Sequence, residues 1–127
     1  MGLLRFIRDV VTGRAGRPVS DWFAVEFDSD LVRVAAEPPG RKPWSQQFGW
    51  SDIERICFKA EGLATSDGIY VFTRLRPESF AIPIEARGGQ EFWAEVITRG
   101  LFDAELAIQA AGSPGGKFWW PSEPTAS

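Results

Sequence analysis

From Asp21 the chain runs Asp21-Trp22-Phe23-Ala24-Val25-Glu26-Phe27-Asp28-Ser29-Asp30, and its period changes to two. Phe23, Val25 and Phe27 alternate with Trp22, Ala24 and Glu26, the period of two that marks a half-buried strand. Asp28-Ser29-Asp30 supplies turn chemistry, and Leu31 to Glu37 resumes an extended run, so the two runs read as a hairpin. Pro38 to Pro43 cannot sustain a ladder and reads as a loop. After it, Gln46, Phe48 and Trp50 alternate with Gln47 and Gly49 in a third strand.

The same period continues downstream. Ser51-Asp52 marks a turn or a single helical turn. Ile56, Phe58 and Ala60 then line one face of a fourth strand, with Cys57 pointing the other way. Gly62 to Gly68 is a polar connection. Ile69, Val71 and Thr73 alternate with Tyr70, Phe72 and Arg74 in a fifth strand. Arg76-Pro77-Glu78-Ser79 is expected to turn the chain into a sixth, where Phe80, Ile82 and Ile84 share a face and Pro83 suggests an edge or a bulge.

Gly88-Gly89 precedes a change of period. Phe92, Trp93, Val96 and Ile97 recur at helical spacing, with Glu91, Glu95 and Arg99 on the outer side. Gly100 breaks or kinks this helix, and Asp103 is placed to cap a second short one running to Ala110. Gly112 to Gly116 reads as flexible, and Phe118-Trp119-Trp120 follows it. Upstream of the strands, Leu3, Leu4, Phe6, Ile7, Val10 and Val11 fall at the spacing of an amphipathic helix over residues 2–12. Gly13 and Gly16-Arg17-Pro18 end it.

These elements predict an α+β, strand-rich domain: an antiparallel β-barrel or sandwich of six to seven strands, a C-terminal amphipathic helix and a short N-terminal helix. The expected divisions are residues 1–19 (helix and linker), 20–111 (strand-rich body with its helix) and 112–127 (flexible, aromatic-containing tail). At 127 residues the chain fits one core. Its 44% hydrophobic and 24% charged residues are ordinary for a globular domain. No apolar run approaches the roughly 20 residues that cross a bilayer, and Arg5, Arg8 and Asp9 interrupt the N-terminal run, so no signal peptide is read.

Charge and chemistry narrow the function. The formal net charge of -3 offers no general attraction to phosphate backbones, which argues against nucleic acid. Residues 1–19 run against the rest, with four arginines to one aspartate. The chain has no histidine, which removes the commonest general base near neutral pH and the commonest zinc ligand. Cys57 is the single cysteine and cannot form an internal disulfide, so a reducing, cytoplasmic setting is expected and no nucleophile pair is available. Asp28 with Asp30 and Asp52 with Glu54 fit turn and strand-edge solvation, not a calcium loop. Gly112 to Gly116 lacks the Gly-Lys-Ser/Thr ending of a phosphate loop. Arg74 and Arg76 alternate on one face, as solvated arginines commonly do. No cofactor is implied.

Phe48-Gly49-Trp50-Ser51-Asp52-Ile53-Glu54-Arg55-Ile56, with its aromatic, Trp and Asp-Ile approach to a central strand, resembles the pleckstrin-homology-like fold of small bacterial proteins, as does the helix around Phe92-Trp93-Ala94-Glu95-Val96-Ile97. The resemblance covers roughly residues 20–110 and implies a barrel of seven strands closed by the helix. Lipid-binding members of that superfamily use a basic pocket between the first strands. Here the first loop, Asp28-Ser29-Asp30, is acidic, so headgroup binding is not implied.

The expected function is a non-catalytic binding module for protein–protein interaction or self-association into a homo-oligomer. The candidate contacts are Leu3, Leu4, Phe6, Ile7, Val10 and Val11 of the N-terminal helix and Phe118, Trp119 and Trp120 of the tail. Tryptophans are enriched at interface hot spots, but the same three aromatics could instead fold back over an edge of the sheet. Each apolar residue of the helix is worth roughly 1.5 to 3 kcal/mol if buried, whether by the domain, by a partner or by lipid. The alternative is therefore a peripheral membrane adaptor that lays this helix in the lipid interface. A third class, an enzyme working with two carboxylates, needs a facing buried pair.

Overall fold

The computed structural model describes residues 18–61 and 67–122. The expected N-terminal helix, with Leu3, Leu4, Phe6, Ile7, Val10 and Val11, lies outside them, as does most of the Gly62 to Gly68 connection. The described chain is strand-rich and of mixed α+β class, with seven strands in two antiparallel sheets. Strands β1 (Phe23–Phe27), β2 (Leu31–Ala36) and β3 (Trp44–Gly49) form the first sheet in the order β1-β2-β3. Strands β4 (Ile53–Ala60), β5 (Gly68–Thr73), β6 (Arg76–Pro83) and β7 (Gly116–Trp120) form the second in the order β6-β5-β4-β7. Helices α1 (Gly89–Thr98) and α2 (Ala104–Ala111) stand between β6 and β7 in the chain.

The hairpin read from the opening stretch forms with Val25 opposite Val34. Asp28 makes its turn: the Oδ1 atom accepts from the N–H groups of Asp30 and Leu31, each at 2.8 Å. Those two donors hold the Asp28 carboxyl below its ordinary range. At the next corner, Trp50–Asp52 forms one 3-10 turn. Here Asp52 Oδ2 accepts from Gly49 N–H at 3.0 Å and Asp52 Oδ1 accepts from Arg74 Nε at 2.9 Å, while the Arg74 N–H donates to Asp52 O at 3.0 Å. The corner between the sheets is thereby tied to the β5–β6 turn.

One core fills the space between the sheets. Phe48 of β3 meets Phe80 of β6 with ring centroids 4.7 Å apart, joining the sheets directly. Helix α1 closes the assembly by touching both: Phe92 lies 6.4 Å from Phe27 of β1 and stacks on Trp50 at 5.6 Å, and Trp93 lies 5.0 Å from Phe58 of β4. Gly88, at φ 80°, lets α1 start here, because a Cβ at this position would stand 2.3 Å from Val25 O. Asp103 caps α2 as expected, its Oδ2 accepting from Leu106 N–H at 3.0 Å.

Three expectations change. The closed barrel does not form, because the sheets keep separate edges and the outer edge of β1 is occupied by Arg87, whose O accepts from Val25 N–H and whose N–H donates to Phe23 O, both at 2.9 Å. The β5–β6 turn falls at Arg74-Leu75, and Arg76–Ser79 belongs to β6, whose edge position tolerates Pro77. Pro83 likewise ends this edge strand. The stretch read as a flexible tail differs as well, since Gly116–Trp120 is β7 and pairs with β4 along its whole length. Three aromatics bounded by Gly116 and Pro121 favour an extended strand, and the open edge of β4 gives them a ladder.

Candidate functional site

Alternation along β7 divides the three aromatics of the sequence prediction between two faces. Phe118 and Trp120 point inward and pack against the core, both half-buried. Trp119 points outward with Lys117. Of the expected contacts, then, two cover the sheet and one presents itself on the surface.

On that outer face the strands assemble a patch that local periodicity does not reveal. The register sets Cys57 between Trp119 of β7 and Tyr70 of β5, and sets Lys59 directly opposite Lys117. Cys57, buried and in no disulfide, lies at the floor. Phe72 packs on Trp119 at 5.6 Å with an interplanar angle of 34°. The Arg55 guanidinium lies 5.4 Å from the Trp119 ring centroid and donates from Nη2 to Ser122 O at 3.3 Å, fastening the chain just beyond β7. The Tyr70 ring lies over Gly68, where a Cβ would come within 3.1 Å of it.

Together Cys57, Lys59, Tyr70, Phe72, Ser79, Lys117 and Trp119 enclose a half-open cleft of about 170 Å³. Its walls are aromatic and its rim is cationic, in a chain of net charge -3. Lys59 Nζ is 3.2 Å from Glu61 Oε2. No acidic partner of Lys117 is found among the described residues.

The other charged residues singled out in the sequence hold structure. Arg74 is taken by Asp52, whose carboxyl is held low first by that contact and then by the Gly49 N–H. Arg76 lies 3.8 Å over the Phe80 ring and donates to the carbonyls of Glu78 and Ser79. Asp28 serves its own turn. Among the described residues no group of three or more His, Cys, Asp or Glu side chains is placed to hold a metal ion, and no helix is long and apolar enough to cross a membrane.

Sequence reasoning missed Lys59, Tyr70, Phe72 and Lys117 as a group. The available signal was the strand pattern of Gly116-Lys117-Phe118-Trp119-Trp120 itself, which assigns Lys117 and Trp119 to one face. Their neighbours across the sheet depend on register. No known protein family, no curated protein and no solved structure matches the chain.

Proposed function

We propose that this chain is a non-catalytic binding module whose working element is the open edge of β7, which pairs with an extended segment of another protein chain or of a second copy. A strand at the end of a sheet offers a row of backbone donors and acceptors, and strand addition uses that row for affinity and alternate side chains for selectivity. The observation that carries the reading is the contrast among the four sheet edges. Arg87 covers the edge of β1, β6 contains Pro77 and Pro83, and the middle of β3 is Ser45-Gln46-Gln47. Strand β7 has neither proline nor cover among the described residues, and three consecutive half-buried aromatics stand along it.

The pleckstrin-homology-like resemblance belongs to the same proposal. Sheets of three and four strands with α1 packed on both support it, and β7 after the helices is an addition to that plan. A buried single thiol suits a reducing, cytoplasmic setting.

Selection of extended peptides from a displayed random library on the immobilised full chain tests the reading. Consecutive strand residues aim their N–H groups at opposite edges, so one of Lys117→Pro and Phe118→Pro removes a donor from the open edge without touching the β4 ladder. Enriched peptides are expected to shift the β7 amides in NMR spectra and to lose binding in that variant. Peptides that bind and leave β7 unshifted would contradict the proposal. So would the absence of any enrichment together with a chain that stays monomeric at every concentration.

A further inference from the structure

We infer that the cleft on the outer face of the four-stranded sheet is a binding site for a free, single-ring aromatic carboxylate. It opens away from the sheet, not sideways along β7, and the inference stands whether or not the edge pairs with another chain.

Size sets the first limit. The cleft measures about 170 Å³, and an apolar cavity of about 150 Å³ takes one benzene ring. The walls set the second. Tyr70, Phe72 and Trp119 present ring faces and edges, and Cys57 and Ser79 complete the lining. Offset and edge-to-face contacts among rings add to simple area burial, so a flat aromatic body is favoured over an aliphatic one of equal volume.

Charge sets the third. Lys59 and Lys117 are directly opposite across β4 and β7, where like charges destabilise a sheet. Glu61 answers one of them at 3.2 Å, and Lys117 has no acidic partner among the described residues. The rim is left with one cation in excess at the mouth of an aromatic cleft, which matches a monoanion. A carboxylate carries that charge, and a phosphate dianion overshoots it. The ring would lie in the cleft with its carboxylate at the Lys117 ammonium.

Titration of the uniformly ¹⁵N-labelled full chain with benzoate tests this, with acetate, benzyl alcohol and phenyl phosphate as comparison probes. Benzoate should give saturable shifts at the amides of Cys57, Phe72 and Lys117 and at the Trp119 indole. Acetate has no ring and benzyl alcohol has no charge, so each should bind at least about tenfold more weakly, the loss of one of the two contributions. Lys117→Gln and Lys117→Ala sit on an exposed position and should keep the wild-type spectrum elsewhere, while benzoate affinity falls by about tenfold. Four results would overturn the inference: no saturable benzoate shift, shifts centred away from the cleft, a response to acetate equal to that of benzoate, or affinity unchanged in both Lys117 variants. Tighter binding of phenyl phosphate than of benzoate would overturn the charge count and with it the ligand class.

Discussion

Lys59 and Lys117 stand directly opposite one another in the antiparallel β4–β7 register. Lys117→Glu converts a like-charged pair into an opposite one. It should raise stability by about 0.5 kcal/mol at low ionic strength, within the usual range for cross-strand pairs. The gain should shrink as salt is added. Denaturant unfolding at two salt concentrations measures it, and a variant no more stable than wild type at low salt would show that the opposed ammonium groups do not repel in the fold.

Gly88 and Gly100 both have positive φ, 80° and 75°, but only Gly88 has a carbonyl where a Cβ would go. Gly100→Ala should cost about 1 to 2 kcal/mol, the left-handed penalty alone. Gly88→Ala adds the contact with Val25 O at 2.3 Å and should cost clearly more than Gly100→Ala. Equal losses for the two variants in thermal or denaturant unfolding would mean that α1 can shift away from β1 freely.

Phe92 is fully buried and bridges Trp50 and Phe27 from α1. Phe92→Ala should destabilise by about 3 to 5 kcal/mol, through lost transfer energy and the cavity left behind. The two sheets should loosen together, since α1 touches both. Unfolding followed at once by tryptophan fluorescence and by far-UV circular dichroism checks this, and separate transitions for the two signals would contradict a shared core.

Asp52 is held below its ordinary value of 3.8 by Arg74 and by the Gly49 N–H. A carboxyl with a depressed folded pKa favours the fold when ionised, so its contribution is fully present above the unfolded pKa and is lost as pH falls through the lower folded value. Asp52→Asn should therefore be less stable than wild type near neutral pH, and the two should converge in strong acid. A constant difference from neutral to acidic pH would place the role of Asp52 in its shape and not in its charge.

Much of this architecture is legible in the residues. Phe23, Val25 and Phe27 announce their strand by an alternation contained in five residues, and Asp28 its turn and Asp103 its cap by bonds to N–H groups within three residues. The β5–β6 turn is misread because Pro77 is a turn residue by local chemistry, and its tolerance in β6 follows from an edge position that only the assembled sheet defines. Strand β7 is obscured in the same way: Gly112 to Gly116 looks like the start of a tail, and its partner β4 lies some sixty residues upstream. The cleft is the least legible feature. Cys57, Tyr70, Lys117 and Trp119 come together through two strand registers, and no single-segment pattern encodes those.

Among the described residues β7 is paired with β4 on one side and unpaired on the other, and residue-resolved amide hydrogen exchange on the full chain reads that asymmetry amide by amide. An edge strand should show alternation along Gly116–Trp120, with the amides bonded to β4 protected and those on the open side exchanging close to free-peptide rates. Uniform protection along the strand would mean that the edge is already covered, and uniform rapid exchange would mean that β7 does not hold its place on β4. Either result would contradict a module that binds through this edge.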